Sequence, residues 1–347
     1  MSDTLQLKQT GRALMEFEVS ARQLANQLHR TAESELSALG IVSEELPDEL
    51  SERRKIVDSA LAESRTFRLR HILGDYCWRE HGRAALAAFA EIEDELPQED
   101  LSSGSVKIDE NPDFEPPAYW ATSRFHRTEG GWDGHARMGE IHGEIVHKQY
   151  VAKIFPGDIY ANRRAVASKA PRKDYSAILE IGVSSGHYTV ALSDIFPDAQ
   201  IHGVDPSLRM LEQAARVGNA RGSEWKLKVA TGESTGYDDA RFDLVTAYAV
   251  HHEMPPKAID AMFHETFRIL KPGGDLIFAD VPRYADIDKL SAWRFDWLGR
   301  HGGEPFWTPS AMLDLATMAQ AAGFEIVASE HLQPRQDIYY LIARKPV

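Results

Sequence analysis

The stretch "EIGVSSGHYT", residues 180–189, decides the fold, because it joins an apolar run to a helix through two glycines. Gly182 and Gly186 let the backbone approach a ligand closely and adopt conformations that other residues avoid. The helix that follows points its free amide donors at whatever lies above the turn. A dinucleotide-binding turn carries three glycines, whereas Ser184 stands at the middle position here. The stretch therefore predicts either a tight strand-to-helix turn or a site for a ligand without a pyrophosphate.

Strands and helices alternate around this turn, from Ser176 to the end of the chain. The predicted strands are short apolar runs: "SAILEIG", "QIHGVD", "WKLKVAT", "FDLVTAYAV" and "DLIFADV". Such alternation predicts an α/β fold with a mostly parallel sheet covered on both faces. The last two runs, "FEIVASEHL" and "DIYYLIARK", are joined by a short turn containing Pro334. They predict a hairpin, which places one antiparallel strand in the sheet.

The N-terminal part has the spacing of helices. Over residues 5–96, apolar side chains fall near one helical face, among them Leu14, Phe17, Leu24 and Leu28. A mainly α-helical N-terminal domain is therefore expected to precede the sheet.

Changes of composition divide the chain into three parts. Residues 97–117 are polar, acidic and proline-bearing, which predicts a loop or linker. Aromatic residues, glycines and histidines then dominate, and another helix leads towards Pro171. We expect a helical N-terminal domain at 1–117, connecting helices over the site at 118–170, and the α/β domain at 171–347.

Composition excludes several classes of function. Lys plus Arg is 39 and Asp plus Glu is 53, so the net charge is −14. This acidity disfavours binding to nucleic acid or to anionic membranes. Cys77 is the only cysteine, no apolar run approaches the length of a membrane span, and the first residues lack a signal-peptide core. We expect a soluble, cytoplasmic protein.

A carboxylate follows the glycine turn at the sequence spacing that is typical of nucleotide-binding α/β folds. Asp205 ends the run "IHGVD", 19 residues after Gly186. In an open α/β sheet, that position suits a carboxylate accepting hydrogen bonds from a ribose diol. The turn and Asp205 together favour a nucleoside-containing ligand.

The order of further motifs resembles the class I S-adenosylmethionine-dependent methyltransferases. "ILEIGVSSG" matches their first motif, acidic–x–Gly–x–Gly–x–Gly, and "IHGVDPS" matches their second-strand acidic motif. "ATGESTGYDDARFDLVTAYAVHHEM" resembles the stretch into the fourth strand, and "RILKPGGDLIFADV" matches the motif before the fifth. The resemblance covers roughly residues 176–347, and the closing hairpin fits the family's reversed seventh strand. It implies a seven-stranded Rossmann-like sheet whose last strand is antiparallel.

The resemblance also implies which residues bind S-adenosylmethionine. Glu180 would lie near the cofactor's amino group, Gly182 beside its methionine part, and Asp205 at the ribose hydroxyls. Many relatives carry an aspartate where Thr231 stands, so the adenine hydrogen bond can come from Glu233 or from the backbone. The implied cofactor-binding set is Glu180, Gly182, Ser184, Gly186, Asp205, Pro206, Thr231, Gly232, Glu233 and Ala247.

The chemistry of the cofactor suits the missing glycine. S-adenosylmethionine has no phosphate, so a Ser184 side chain is tolerated where a pyrophosphate would demand glycine. Ser184 or Ser185 can instead bond the cofactor's carboxylate. A nicotinamide dinucleotide is the weaker alternative, and S-adenosylhomocysteine is the expected product.

Candidate catalytic residues come first from the end of the fourth strand. Methyl transfer is an in-line displacement in which the enzyme aligns the reactants and excludes water. An oxygen or acidic carbon nucleophile also needs a base. "AVHHEMPP" places His251 and His252 at the mouth of the site, and structural packing is the alternative role for this pair.

The aromatic and histidine-rich segment before the sheet supplies further candidates. His126 and His142 are possible bases, and Arg127, Trp132 and His135 possible substrate contacts. His135 and His142 are seven residues apart, which returns to the same face of a helix. The alternative is a lid or an interdomain contact with solvated histidines. No metal is expected, because this segment has no cysteine and no His-x-x-x-His pair.

The insertion after the fifth strand supplies the remaining candidates. It contains Tyr284 as a possible catalytic residue and Trp293 and Trp307 as possible substrate contacts. Aromatic rings suit a planar substrate or the stabilisation of a sulfonium. Packing of a helix on the core is the alternative for each of them.

We expect methyl transfer to a small molecule, with oxygen the favoured acceptor atom and carbon or sulfur possible. The Asn/Asp-Pro-Pro-aromatic motif of amino-group methylation is absent from the fourth strand, where "AVHHEM" stands. The alternatives are a cofactor-binding enzyme of another reaction and a degenerate binding module. The N-terminal domain is expected to form a homodimer and to cover the active site.

Overall fold

The computed structural model describes residues 5–97, 100–128, 131–154, 158, 160–332 and 338–347. Thirteen α-helices can be numbered along this part of the chain. They are α1 (Gln9–Ala38), α2 (Leu50–Leu61), α3 (Arg65–Ala90), α4 (Ala118–Thr122), α5 (Met138–Glu140), α6 (Ala152–Ile154), α7 (Ala161–Ser168), α8 (His187–Ile195), α9 (Leu208–Ala220), α10 (Pro256–Ile269), α11 (Lys289–Gly302), α12 (Trp307–Ala311) and α13 (Leu315–Ala321). An 11-residue π-helix, Ile141–Val151, lies between α5 and α6.

In the described part of the chain, eight strands form a single sheet. They are β1 (Lys107–Asp109), β2 (Ala177–Ile181), β3 (Gln200–Asp205), β4 (Lys226–Val229), β5 (Phe242–Tyr248), β6 (Leu270–Asp280), β7 (Glu325–His331) and β8 (Tyr339–Arg344). Their spatial order is β1-β4-β3-β2-β5-β6-β8-β7. Strand β8 runs antiparallel to both β6 and β7, and the other pairs are parallel. The predicted α/β fold with a reversed last strand is confirmed. The predicted turn at Pro334 lies outside the described residues.

The segment 97–117 corrects one prediction. It was expected to be a loop, yet Lys107–Asp109 forms β1 and pairs in parallel with β4. The strand has only three residues, which is too few to show an alternating apolar pattern in the sequence. Its hydrogen bonds go to the edge of the neighbouring strand. The seven-stranded sheet implied by the resemblance therefore gains an eighth strand from the N-terminal part.

The two faces of the sheet bury two apolar cores. Successive side chains of a strand point to opposite faces, and β2 follows this rule with Ile178 in one core and Leu179 in the other. Helices α8 and α9 cover the first core, with Leu192 and Leu211 buried in it, and α10 covers the second with Phe263. All five side chains are fully buried. Parallel strands covered on both faces leave the carboxyl ends of the strands as the place for a site.

The N-terminal helices pack differently from the prediction. Helices α1 and α3 lie along each other, and Ser64 caps α3 by accepting the N–H of Phe67. Phe17 and Leu24, which share an apolar helical face in the sequence, are 55% and 48% exposed. The residues that α1 buries include polar side chains, Glu18 and Arg22, as well as apolar ones. Hydrophobic spacing alone therefore does not identify the buried face of α1.

Helix α11, in the insertion after β6, packs on these N-terminal helices. Trp293 is 1% exposed, stacks on His29 and donates its indole N–H to Asp58 at 2.8 Å. Arg54 pairs with the buried Asp296. The insertion thus joins the N-terminal helices to the sheet domain. Within the described residues, no helix is both long enough and apolar enough to cross a membrane.

Candidate active site

A cavity of about 260 Å³ opens at the carboxyl ends of β2, β3, β4 and β5. Segments that follow these strands form its floor, and the segment from α4 to the π-helix forms its roof. The roof and wall residues are Tyr119, Trp120, His126, Trp132, His142, His147 and Arg163. The floor residues include Gly182, Val183, Ser184, His187, Tyr188, Asp205, Pro206, Thr231, Gly232, Glu233, Tyr248, Ala249, Val250, His252 and Glu253.

The glycine turn has the strained backbone that its sequence suggests. Gly182 and Gly186 have φ of 76° and 86°, and Ser184 has φ of 49° without being glycine. A Cβ on Gly182 would lie 2.3 Å from Cγ2 of Val250. A left-handed residue other than glycine costs about 1–2 kcal/mol, so the surrounding structure must hold Ser184 in place.

Asp205 holds Ser184 from the end of β3. Its Oδ2 accepts the backbone N–H of Ser184 at 2.8 Å, and its Oδ1 accepts that of Ser207 at 2.9 Å. Burial raises the pKa of Asp205 to about 7, although both backbone donors favour its charged form. Asp205 lines the cavity, so the same carboxylate that fixes the turn faces a bound ligand.

Glu180 lies beneath the turn as a buried carboxylate. Its side chain is 0% exposed, and among the described residues no hydrogen bond of good geometry reaches either carboxylate oxygen. Burial raises the pKa of Glu180 to about 8, with a smaller contribution from Asp205, although the Thr189 hydroxyl opposes this shift. An ammonium group on a ligand would give the Glu180 carboxylate a hydrogen-bond and ion-pair partner. An apolar ligand would leave the free-energy cost of burying this carboxylate uncompensated.

Arg163, on α7, lines the same cavity and was not predicted as a site residue. Its guanidinium lies over the ring of Tyr248, 5.0 Å from the centroid, and its charge acts on Glu180. An ammonium acceptor and a guanidinium at one end of a cavity are complementary to the two charged groups of an amino acid. No sequence pattern marks Arg163 as a site residue, because it lies in a helix of ordinary composition.

The far end of the floor joins the roof through Glu233. Its Oε1 accepts the hydroxyl hydrogen of Tyr119 at 2.8 Å, while its Oε2 is buried without a partner in the described part of the chain. A Cβ on Gly232 would lie 2.6 Å from Sδ of Met262, so the backbone must pass closely there. Together with Thr231, these residues form a narrow polar end to the cavity.

These features fit S-adenosylmethionine. Glu180 and Arg163 suit its amino-acid part, and Asp205 suits its ribose diol. The narrow end of the cavity at Glu233 suits its adenine ring. Ser184 leaves the turn without the third glycine that a pyrophosphate would require. The cofactor-binding residues predicted from the resemblance line this cavity except Glu180, Gly186 and Ala247, which lie beneath it or in the turn.

His252 forms a hydrogen-bonded pair with Asp280 at the end of β6. Its Nδ1 lies 2.7 Å from Oδ1 of Asp280, and Asp280 is 5% exposed. Burial opposes the imidazolium, yet Asp280 prevails and raises the pKa of His252 to about 9. His251, the predicted candidate, instead packs against Phe278 in the core and does not line the cavity. His252 and Asp280 are 28 positions apart in the sequence, so no local pattern indicates this pair.

His126 lies between two glutamates. Its Nδ1 is ion-paired with Glu304, and its Nε2 lies 3.3 Å from Oε1 of Glu253. Burial alone would lower the pKa of His126, but the two carboxylates raise it well above the usual value. The pairing ties the roof to the turn after β5 and to the insertion after β6.

Three further histidines form a row along the cavity wall. The ring of His142 lies 4.5 Å from that of His147, which stacks on His187 at 4.6 Å. Burial lowers the pKa of His142 to about 3 and those of the other two well below the usual value. These imidazoles are therefore neutral at pH 7, which makes His142 a hydrogen-bonding group and a poor base.

The π-helix explains the row. Its i to i+5 hydrogen bonding places His142 and His147 on one face. His135, expected to share that face with His142, lies before α5 and contacts Glu93 and Phe89 of the N-terminal domain instead. The helical spacing was wrong here, because regular helix begins only at Met138.

Four other predicted residues lie outside the cavity lining. Arg127 pairs with Asp75 of α3 at 2.6 Å. Tyr284 is 8% exposed and Trp293 1%, each within an apolar cluster. Trp307 lies behind the wall, with its ring 5.1 Å from that of His252. Among the described residues, no three His, Cys, Asp or Glu side chains are placed to hold a metal.

Comparison with known proteins supports the assignment of the sheet domain. Residues 178–274 match the family described as methyltransferase domain. Malonyl-[acyl-carrier protein] O-methyltransferase of Legionella pneumophila is 32% identical over 124 residues, 36% of this chain and 41% of that protein. Demethylmenaquinone methyltransferase of Thermus thermophilus is 30% identical over 131 residues, 37% of this chain and 57% of that protein. The chain thus spans about half the length of these curated relatives.

A solved structure is similar to part of this chain at greater distance. Phosphoethanolamine N-methyltransferase 2 of Haemonchus contortus superposes with a TM-score of 0.45 and 18% identity, over 56% of this chain and 54% of that chain. The assignment rests on the matched residues 178–274 and on the motifs around Glu180 and Asp205. The comparisons and the motifs together identify residues 178–274 as a methyltransferase domain that resembles the class I S-adenosylmethionine-dependent methyltransferases.

Proposed function

We propose that the protein transfers a methyl group from S-adenosylmethionine to a small-molecule acceptor, most favourably to a hydroxyl oxygen. The observation that carries this proposal is one cavity with two chemically distinct surfaces. Its floor suits the cofactor, with the buried Glu180 carboxylate below and Asp205 beside it. Its roof and far wall carry imidazoles paired with carboxylates, which are groups that can accept and donate a proton.

The floor residues would hold the cofactor. Glu180 would accept from the ammonium, Arg163 would pair with the carboxylate and Asp205 would accept from the ribose diol. Glu233 and the backbone around Gly232 would meet the adenine. When bound, the cofactor supplies a methyl group on a positively charged sulfur. The protein excludes water from the cavity and aligns the acceptor atom with that methyl group.

The wall residues would bind and orient the methyl acceptor. A hydroxyl gains nucleophilicity as its proton is taken up by a nearby base. His126 and His142 line the cavity, and we propose that they orient the acceptor. We propose that His252, and not His251, also orients the acceptor, because His252 faces the cavity and Asp280 fixes its Nδ1. Trp132, whose ring lies 4.8 Å from that of His142, would pack against the acceptor.

Carbon and sulfur acceptors are the next alternatives. A carbon acceptor needs a base in the same way, whereas a thiol needs less help. A base beside the cavity therefore favours oxygen or carbon over sulfur. The net charge of −14 favours a small molecule over nucleic acid or an anionic membrane surface.

We further propose a cytoplasmic homodimer built on the N-terminal helices. Phe17, Leu69 and Ile72 are 55%, 52% and 67% exposed, and Phe17 meets Tyr76 of α3 edge to face. This apolar surface, shared by α1 and α3, suits burial against a second copy. Light scattering on the full chain tests the dimer, and a monomeric mass would remove this part of the proposal. The division at residues 117 and 170 stays a prediction.

Two measurements test the proposed function. Isothermal titration with S-adenosylhomocysteine tests binding, and micromolar affinity is expected. Incubation with S-adenosylmethionine and a panel of phenols, alcohols and hydroxy acids, followed by mass spectrometry, should give S-adenosylhomocysteine together with an acceptor heavier by one methylene unit. Binding without a methylated product would favour a cofactor-binding enzyme of another reaction. No binding at millimolar ligand would favour a degenerate binding module.

A further inference from the structure

Five side chains around the cavity alternate between carboxylate and imidazole. They come from four separate segments of the fold: the roof, the turn after β5, the end of β6 and the insertion after α11. In spatial order they are Glu304, His126, Glu253, His252 and Asp280. We call this set the carboxylate–imidazole chain.

The contacts run from one end of the chain to the other. Glu304 is ion-paired with Nδ1 of His126, whose Nε2 lies 3.3 Å from Oε1 of Glu253. The same Oε1 lies 4.0 Å from Nε2 of His252, an ion-pair distance and not a hydrogen bond. Nδ1 of His252 lies 2.7 Å from Oδ1 of Asp280. One oxygen of Glu253 therefore faces two imidazoles whose other nitrogens are already engaged.

The ends of the chain are buried and its centre is open to the cavity. The side chains of Glu304 and Asp280 are each 3% exposed, whereas those of His126 and Glu253 are 29% and 21% exposed. His126, Glu253 and His252 line the cavity, and the two end carboxylates do not. A ligand in the cavity thus meets the middle of the chain, while the ends fix the imidazoles from behind.

The carboxylate–imidazole chain carries one net negative charge when both imidazoles are protonated. Its carboxylates raise the pKa of His252 to about 9 and that of His126 well above the usual value. Two imidazolium ions and three carboxylates leave one net negative charge. A net charge is costly in a partly buried cluster, and one added proton would neutralise it. Groups coupled this closely take up protons as a set and not as independent sites.

We propose that the carboxylate–imidazole chain acts as one proton acceptor for the cavity, with Glu253 as the member that receives the proton from the acceptor hydroxyl. This rests on the proposed O-methyl transfer. The acceptor oxygen uses a lone pair to form the bond to the methyl carbon, and the carbon–sulfur bond breaks with both electrons on sulfur. The hydroxyl proton moves to the Glu253 carboxylate, so the chain changes from one net negative charge to none. Glu304 and Asp280 are positioning residues.

Other charged groups surround the chain. His126 faces His81 and His142 in addition to the two glutamates, and Glu253 acts on Asp205 across the cavity. His251 lies 3.4 Å from the second oxygen of Asp280. His81 and His142 have pKa values lowered by burial to about 4 and about 3, so they stay neutral while the chain titrates.

The test measures coupling between the two ends of the chain. Full-length protein with labelled histidines and bound S-adenosylhomocysteine is titrated by NMR, as wild type and as Glu304→Gln. Glu304 contacts His126, so the His126 midpoint should fall. If the chain is one unit, the His252 midpoint should also fall by several tenths of a pH unit. An unchanged His252 midpoint would mean two separate ion pairs and would overturn the proposal.

A matched variant controls for the loss of any carboxylate beside a histidine. Oδ2 of Asp286 lies 3.2 Å from Nε2 of His331, and neither residue belongs to the carboxylate–imidazole chain. Asp286→Asn should leave the titration midpoints of His126 and His252 as in wild type. Unchanged affinity for S-adenosylhomocysteine shows that each variant is folded.

The role of Glu253 is tested by turnover of phenols of graded acidity. Glu253→Gln should lose at least tenfold in kcat/KM with weakly acidic phenols and little with phenols already ionised at the assay pH. An equal loss across the series would reject Glu253 as the proton acceptor. If wild type methylates none of the phenols, alcohols and hydroxy acids of the panel, that result counts against the proposed hydroxyl transfer. The NMR titration still decides whether the carboxylate–imidazole chain is one unit.

Discussion

Ser184 donates its backbone N–H to Oδ2 of Asp205 at 2.8 Å, so the strained turn after β2 is fastened to the end of β3. The contact explains how a residue other than glycine keeps a φ of 49° at this position. It also means that Asp205 has two functions, since the carboxylate that fixes the turn is the one facing the expected ribose site.

Asp205→Ala should weaken binding of S-adenosylhomocysteine by about 10- to 100-fold, because hydrogen bonds to a charged group contribute about 1.5–3 kcal/mol. The loss includes both the ligand's acceptor and the support of Ser184. Asp205→Asn keeps one acceptor oxygen and should lose less. Isothermal titration gives both values, and wild-type affinity in Asp205→Ala would show that Asp205 serves the turn alone.

Glu180→Gln should stabilise the ligand-free protein at pH 8 and weaken cofactor binding. The pKa of Glu180 is raised to about 8, above its unfolded value near 4.5, so the folded state holds a proton that the unfolded state has lost. Stability from this group is present at low pH and is lost as pH rises from about 4.5 to 8. Urea unfolding at pH 5 and pH 8 should show a smaller loss in Glu180→Gln than in wild type. Equal losses in the two proteins would contradict the assignment of a buried carboxylate.

The sheet and the cofactor side of the cavity could be predicted, because they depend on local patterns. Glycines at 182 and 186 and the carboxylate at 205 follow apolar strands at fixed distances, and parallel strands bring their carboxyl ends together. The acceptor side depends on contacts that no local pattern encodes. His252 meets Asp280 across 28 residues, and His126 meets Glu304 across a still longer separation.

Irregular backbone accounts for the other differences. His142 and His147 share a face only because the segment forms a π-helix, whereas an ordinary helical repeat pairs His142 with His135. Strand β1 has three residues, too few to show an alternating pattern. On α1, the polar Glu18 and Arg22 occupy buried positions, whereas the apolar Phe17 and Leu24 are largely exposed.

Asp280→Asn should destabilise the protein by about 3 kcal/mol at pH 6.5, because it leaves a buried imidazolium without its counter-charge. The pKa of His252 is about 9 when folded, above the ordinary value near 6.5. The stabilisation is therefore complete below about pH 6.5 and is lost as pH rises through 9. The penalty of Asp280→Asn should accordingly shrink at pH 9.5. Asp286→Asn, at a half-exposed ion pair, should cost less than about 1 kcal/mol at either pH, and a pH-independent penalty in Asp280→Asn would contradict the assignment.

The roof packs closely against the sheet domain at two glycines. Substitution of one of them tests whether this packing keeps the cavity closed. A Cβ on Gly139 would lie 2.1 Å from the backbone oxygen of Arg209, and one on Gly143 would lie 3.1 Å from Cβ of Ser185. Gly139→Ala must therefore displace the start of the π-helix from α9. Because the roof carries Trp132 and His142, this displacement should open the cavity and lower methyl transfer at least tenfold, with a smaller effect on cofactor affinity.

Gly82→Ala is the matched control for the roof variant. Gly82 lies inside α3, and an added Cβ would come no closer than 3.6 Å to Thr128. Alanine is favoured over glycine in a helix by about 1 kcal/mol, so this variant should unfold at the same or a higher temperature and keep full activity. Hydrogen exchange of the π-helix amides should rise in Gly139→Ala and stay unchanged in Gly82→Ala. If exchange and turnover in Gly139→Ala matched wild type, close docking of the roof on α9 would not be required for closure of the cavity.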